Sequence, residues 1–208
     1  MIVINGAGDH ALEAYNVLND LGYRNDIYFF DEDLNTIGEK HGYSTMVNLH
    51  TLREEVIGVL GVGTPHREFI ERSNKYIDKW MIVVHPSAHL CNDIMLGTGV
   101  VIKQRVTLMP YAKLGNFVQI NVGALIGHHA EIGDYSCIGP TAQIMGRVSI
   151  GEECYIGVNA IILEKLSIAD KVTIGAGAVV VKDITEPGTT WAGVPAKPLK
   201  RANLTGRG

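Results

Sequence analysis

From Ile120 to Ile156 the chain reads I-NVGALI-GHHAEI-GDYSCI-GPTAQI-MGRVSI-GEECYI, with isoleucine at 120, 126, 132, 138, 144, 150 and 156. The beat runs on in both directions. Stepping by six from Val84 to Val180 lands seventeen times on Val, Leu or Ile without an insertion. Four residues after each comes another small or apolar side chain, Val100, Ala112, Ala124, Ser136 and Cys154 among them. The fifth residue of one hexad and the first of the next are two apart, so both point to the same side of a short strand. The residues between must turn a corner. Glycine holds the second place in eight of the seventeen hexads, Gly127, Gly133 and Gly139 among them, where a tight bend favours a missing Cβ. Short strand, corner, short strand predicts a parallel β-solenoid filled by its own aliphatic ladder. With three strands to a coil, residues 84–185 make between five and six coils, a prism roughly 27 Å tall at about 4.8 Å per coil. An ordinary sandwich of short strands would space its turns irregularly.

The whole chain has 208 residues, 46% of them hydrophobic and 19% charged, which suits one medium globular unit or two small ones. Eighteen Lys and Arg against 22 Asp and Glu leave a formal charge of −4, with no basic footprint for nucleic acid. No apolar run approaches the roughly 20 residues of a membrane span. The opening MIVINGAG lacks the basic front of a signal peptide and reads as a buried strand. Cys91, Cys137 and Cys154 are odd in number and have no metal-like spacing, which suits a reducing cytoplasm. Cys154 falls on an inward place of its hexad; Cys137 faces out, with no neighbouring base to activate it.

Residues 1–83 read differently. Met1–Asn5 is an apolar run, followed by Gly6-Ala7-Gly8-Asp9-His10 and a helical pattern that stops at Gly22. Ile27–Phe30 is a second strand ending in Asp31-Glu32-Asp33, and Val56–Val62 a third that closes on Gly63. Pro65 opens a second helix predicted to reach about Lys79, and Met81–Val84 leads into the solenoid. Strands alternating with helices predict a small parallel sheet, a Rossmann-like α/β domain. Gly6-x-Gly8 is half of a dinucleotide fingerprint, and the third glycine is replaced by Ala11. It is either a ligand loop or a tight strand-to-helix turn. Asp9 is most simply an N-cap, and an acid there opposes a phosphate at the helix start. His10 either donates to a phosphate or sits idle in the first turn. Asp31 either holds a ribose or base or belongs to a solvated acidic turn.

This order of parts resembles one subfamily of the hexapeptide-repeat acyltransferases, bacterial sugar N- and O-acetyltransferases. The resemblance rests on the hexads, on GAGxH after the first strand, on the acidic turn after the second, and on VHPSA (Val84–Ala88) at the solenoid's entry. It implies a left-handed parallel β-helix over 84–185, a homotrimer with active sites at subunit interfaces, and acetyl-CoA as co-substrate with no metal. It also implies that the domain 1–83 holds a nucleotide-linked sugar through Gly6, Gly8, His10, Asp31 and Gly63. Asp9 stands where the family usually has glycine. The tail Trp191-Ala192-Gly193-Val194-Pro195-Ala196-Lys197 matches the family's G-x-P-A-[KR] close. Residues 186–208 then form a cap over the last coil, where unpaired strand edges need cover. The resemblance lays the stretch around Pro195 along the CoA nucleotide, and Lys197 either meets a phosphate there or stays solvated.

Ile126-Gly127-His128-His129-Ala130-Glu131-Ile132-Gly133 carries the chemistry. His128 is third in its hexad and so points outward from a corner, where the subfamily carries its general base. An acid ordinarily follows and orients that ring; here His129 stands in its place, which leaves Glu131 or a group from a neighbouring subunit for the task. At eighteen residues per coil Gly146 stacks directly on His128. A glycine there leaves room for a thioester, and its N–H suits the carbonyl oxygen. Asn121, in the preceding hexad, either tolerates a left-handed turn or positions the nucleophile. A thioester is already activated, so the enzyme's task is to take a proton from an amine or hydroxyl near neutral pH, work suited to an imidazole, and to orient two substrates. These readings favour acetyl-CoA-dependent N-acetylation of a nucleotide-linked amino sugar in a bacterial glycan pathway. A sialic acid-type sugar O-acetyltransferase is the alternative. A zinc hydratase on the same scaffold, or a purely structural solenoid, are more distant readings; the former lacks histidines at the required spacing.

Overall fold

The computed structural model describes residues 1–6, 8–24, 27–30, 38–40, 43–46, 55–63 and 67–199. An α/β unit opens the chain: β1 (Ile2–Asn5), α1 (Asp9–Asp20), β2 (Ile27–Phe30), β3 (Gly38–Lys40), β4 (Tyr43–Met46), β5 (Ile57–Leu60), α2 (Arg67–Ser73) and β6 (Lys79–Trp80). Its sheet runs β3-β4-β2-β1-β5-β6, with every pairing parallel except β3 with β4. The helix α1 lays Ala11, Ala14, Val17 and Leu18 on the sheet, the spacing of one apolar face. It ends as Gly22 takes a φ of 90°, with the Gly22 N–H on Asn19 O (2.9 Å) and the Tyr23 N–H on Leu18 O (3.0 Å), a Schellman closure.

Several local expectations are corrected here. The N-cap is Gly8, not Asp9, which is the first helical residue. The second helix ends at Ser73 rather than Lys79, because Lys79–Trp80 forms the edge strand β6 beside β5. The hairpin of β3 and β4 was not foreseen: its strands are short and lack an alternating apolar pattern. Asp31 lies outside the described residues.

From Val83 the chain winds into a left-handed parallel β-helix of three faces, each strand pairing with its counterpart 18 residues on. The first face runs from Val83–Val84 to Thr173–Ile174, the second from His89–Leu90 to Val179–Val180, and the third from Met95–Leu96 to Ser167–Ile168. The predicted ladder fills the interior: Ile102, Leu108, Ile120, Ile126, Ile138, Ile144, Ile156 and Ile162 are fully buried. At about 1.5–3 kcal/mol for each buried aliphatic side chain, this column is the main source of stability. Cys154 joins it.

The corner geometry differs from the expectation in one respect. The left-handed residue of each corner is the fourth of the hexad, Arg105, Tyr111, Phe117, His129, Tyr135 and Arg147 among them, with φ between 54° and 63°. The second-place glycines do not take positive φ. They are needed because coils stack closely: a Cβ on Gly127 would lie 2.5 Å from the carbonyl carbon of Met145, and one on Gly133 2.5 Å from that of Gly151.

The α/β unit sits on the outer side of the first face, burying Val83, Val101, Gln119 and Cys137. Trp80 meets Phe117 edge-on at 5.1 Å, and Phe117 stacks on Tyr135 at 5.2 Å. His85 ties α1 to the solenoid: its Nδ1 accepts from the Ser87 N–H (3.0 Å), so Nε2 carries the proton and donates to Asp20 (2.9 Å). At the other end Thr190–Ala192 continues the first face beside Thr173–Ile174, and Lys197–Pro198 pairs antiparallel with it. Trp191 and Ala196 close the hydrophobic column there, supplying the cover the open end requires.

Candidate active site

The corner that follows the second face carries His128 and His129, both exposed. Main-chain bonds between coils hold it: the Arg147 N–H donates to His128 O (2.9 Å) and the His129 N–H to Pro110 O (3.0 Å). Left-handed geometry at His129 (φ 58°) turns its ring toward its neighbour. The two Nδ1 atoms are 3.2 Å apart and the rings nearly perpendicular, at 88°. Tyr111 lies against the far side of His129, with centroids 4.8 Å apart. The His128 ring leans over Gly146, whose absent Cβ would fall 2.5 Å from Nε2. A cleft of about 470 Å³ opens here. Met109, Leu125 and Met145 give it apolar walls, and Arg147, Glu164 and Lys165 bring charge from the following coils.

A second cleft, of about 340 Å³, lies at the preceding corner, between the first and second faces, under α1. His10, Glu13, Gly63, Lys103, Asn121 and Cys137 line it. Glu13 accepts from His10 Nδ1 (3.2 Å) and from the Lys103 ammonium; Lys103 also donates to Asn121 Oδ1 (2.7 Å), and Asn121 Nδ2 donates to Ile138 O (2.8 Å). Lys103 is buried, and a buried ammonium needs such partners. Burial pushes the Glu13 carboxyl up, but the Lys103 hydrogen bond and the charges of Lys103 and His10 outweigh it and leave the carboxyl below its ordinary value. Burial pushes the Cys137 thiol up to about 11, against a smaller opposing effect of its Asn121 bond.

The sequence-derived candidates therefore divide. His128 and Gly146 share one cleft. His10, Gly63 and Asn121 share the other, so Asn121 does not join His128 within the chain. Its backbone is not left-handed either; its amide is occupied by Lys103 and Ile138 O. Glu131 does not reach His128: it lies on the third face, paired with Lys113 at 2.7 Å. The group touching the His128 ring is His129. Gly6 (φ 122°) donates its N–H to Phe30 O at 2.7 Å, and Gly8 caps α1; neither lines a cleft. Pro195 and Lys197 belong to the cap, which bonds Val179 through Gly193 O (3.0 Å) and the Ala196 N–H (2.8 Å). Glu13 and Lys103 were missed. Lys103 was within reach of the register, being one coil before Asn121; nothing local marks Glu13. Among the described residues no three His, Cys, Asp or Glu side chains converge as the ligands of a metal would. No helix among them is long and apolar enough to cross a membrane.

No protein-family model matches the chain, and no curated protein does. Among solved structures, the acetyltransferase domain of PglB from Neisseria gonorrhoeae is 30% identical, with 95% of this chain and 98% of that one covered and a TM-score of 0.88. The chain belongs to the hexapeptide-repeat sugar acetyltransferases. The PglB domain has also been solved in complex with acetyl coenzyme A. PerB from Caulobacter crescentus, solved in complex with CoA and GDP-perosamine, is 28% identical to this acetyltransferase. That match covers 96% of this chain and 97% of PerB, with a TM-score of 0.84. WeeI from Acinetobacter baumannii is 22% identical over 96% of this acetyltransferase and 99% of its own chain, with a TM-score of 0.88, and shares the fold.

Proposed function

We propose that the chain transfers acetyl from acetyl-CoA to the amine of a nucleotide-linked amino sugar, with His128 as general base. The observation that carries this is the His128 imidazole, exposed in a cleft and leaning over the bare Cα of Gly146. An extended thioester fits that gap as no side chain would. The complexes of PglB with acetyl coenzyme A and of PerB with CoA and GDP-perosamine support the choice of both substrates.

In this reading the amine attacks the thioester carbonyl carbon while Nε2 of His128 takes the proton. The Gly146 N–H faces the oxygen as charge develops on it. Collapse breaks the C–S bond, and the imidazolium returns its proton to the departing sulfur. No covalent enzyme intermediate is needed. The pantetheine arm runs along the corner past Arg147 and Lys165, and the nucleotide end reaches the cap, about 14 Å further along at three coils, where Pro195 and Lys197 lie. The α/β unit of residues 1–83 is read as a Rossmann-like substrate domain, residues 84–185 as the transferase domain and 186–208 as the cap. Gly6, Gly8, His10 and Gly63, with Asn121 and Lys103 opposite, form the acceptor's side of the site. Because the two clefts sit on different edges of the prism, the acceptor held by one subunit meets His128 of another. A homotrimer provides this, with the half-buried Leu125, Ile161 and Val179 of the second face at its interface. Three cysteines without a disulfide and the supply of acetyl-CoA suit the cytoplasm.

The second reading is transfer to a hydroxyl of a sialic acid-type sugar. Asp9 favours it: its carboxylate stands exposed in the first turn of α1, where it repels a diphosphate. The test is CoA release from acetyl-CoA against free and nucleotide-linked amino sugars and sialic acids. Acceleration by a nucleotide-linked amine, with a rise in Tm on adding the matching nucleoside diphosphate, supports the first reading. Acceleration by a free sialic acid without that rise supports the second. If His128→Ala retains full activity, the assignment of the base fails.

A further inference from the structure

The His128–His129 contact holds more than proximity. At 3.2 Å between Nδ1 atoms, one ring must donate and the other accept, since two lone pairs or two N–H groups would repel. A histidine that acts through Nε2 has to carry its own proton on Nδ1. Nε2 of His128 is the ring atom closest to the space above Gly146, so it faces the gap a thioester would enter.

We propose that His129 is the positioning residue for His128: its Nδ1 lone pair accepts the Nδ1 proton of His128 and so keeps Nε2 free to act as base. This rests on His128 being the base. The ring of His129 is held for the task by the left-handed φ of 58°, by the N–H bond to Pro110 O, and by Tyr111 behind it. The nearest carboxylate in sequence, Glu131, is committed to Lys113. Around the pair, the charged groups lining the cleft are Arg147, Glu164 and Lys165, and Tyr111 is the titratable group on the other side of His129. A neutral imidazole orients the ring as a carboxylate would, but brings no negative charge to hold an imidazolium. Protonation of His129 itself removes the accepting lone pair.

Three substitutions test this, each compatible with a left-handed backbone: His129→Gly, His129→Asn and His129→Asp. In Asn and Asp an Oδ1 occupies the position of the histidine Nδ1. His129→Gly is expected to lower kcat roughly tenfold or more with little change in KM. His129→Asn recovers most of that loss. His129→Asp also recovers it, but moves the acid limb of the kcat/KM profile to higher pH, because a negative neighbour favours the imidazolium. On 15N-histidine-labelled protein, with His128→Gln to assign the signals, His128 is expected to be protonated at Nδ1 in the wild type and to shift toward Nε2–H in His129→Gly. The proposal is overturned if His129→Asn is as impaired as His129→Gly, if His129→Gly matches the wild type, or if His128 carries its proton on Nε2 in the wild type. The NMR result holds whether or not an acceptor is found, so failure of the pairing is told apart from failure of the proposed reaction.

Discussion

His128 and Gly146 are 18 residues apart and one coil apart, and the imidazole occupies the space in which a Cβ on residue 146 would stand, 2.5 Å from Nε2. Gly146→Ala therefore has to displace the ring. Gly146 is half-exposed on a corner and outside the aliphatic column, so Tm should change by no more than a few degrees. Activity should fall at least tenfold, since displacement of about an ångström costs an oriented reaction heavily. Steady-state kinetics beside a thermal melt checks this; unchanged kcat would show that the ring need not sit there.

The thiols divide by environment. Desolvation pushes both Cys137 and Cys154 up to about 11, more than their hydrogen bonds offset, and both are buried. At pH 8 they remain protonated and shielded, while Cys91 is partly exposed. A chromogenic disulfide reagent should titrate one thiol per chain in the native protein and three after denaturation.

Glu13 links pH to stability. Burial raises its carboxyl, the Lys103 and His10 interactions lower it further, and the net shift is downward. A carboxyl that is depressed in the folded state contributes stability that is fully present above its unfolded value, near pH 4.3, and is lost as pH falls through the folded value. Lys103→Met removes the main partner. Melting curves between roughly pH 5 and pH 3 should then show a shallower fall in Tm for the variant than for the wild type. Solvent around the half-exposed Glu13 side chain (52%) keeps the difference modest.

Ile144 is fully buried in the middle of the column, where neighbouring coils are too closely stacked to collapse into a void. Ile144→Ala should cost about 2–5 kcal/mol, a fall in Tm on the order of 10 °C. Denaturant titration would register it as a lower midpoint at an unchanged slope.

The fold was legible from residue 84 onward because the repeat is a one-dimensional code. A six-residue period states which side chains point inward, and an 18-residue coil states which residues stack, so Gly146 over His128 and Lys103 under Asn121 follow by counting. The same code misassigned the corner: eight second-place glycines suggested a left-handed bend there, whereas the positive φ belongs to the fourth place and the glycines answer to coil-to-coil contact. In the α/β unit β1, α1 and β2 were recognisable from apolar periodicity and the Gly22 stop. The hairpin and the short second helix were not, because their extent depends on neighbouring strands.

What the sequence determined by itself is therefore the column: its register, its core, and the outward aim of His128. Only the tertiary structure decided which outward side chains meet. Glu131 turned to Lys113, Asn121 joined Lys103 and α1 rather than His128, and His129 took up the His128 ring. A period constrains direction from the axis, but a contact between side chains depends on rotamers, on backbone φ at a single corner residue, and on a helix from 90 residues earlier in the chain delivering Glu13 to Lys103.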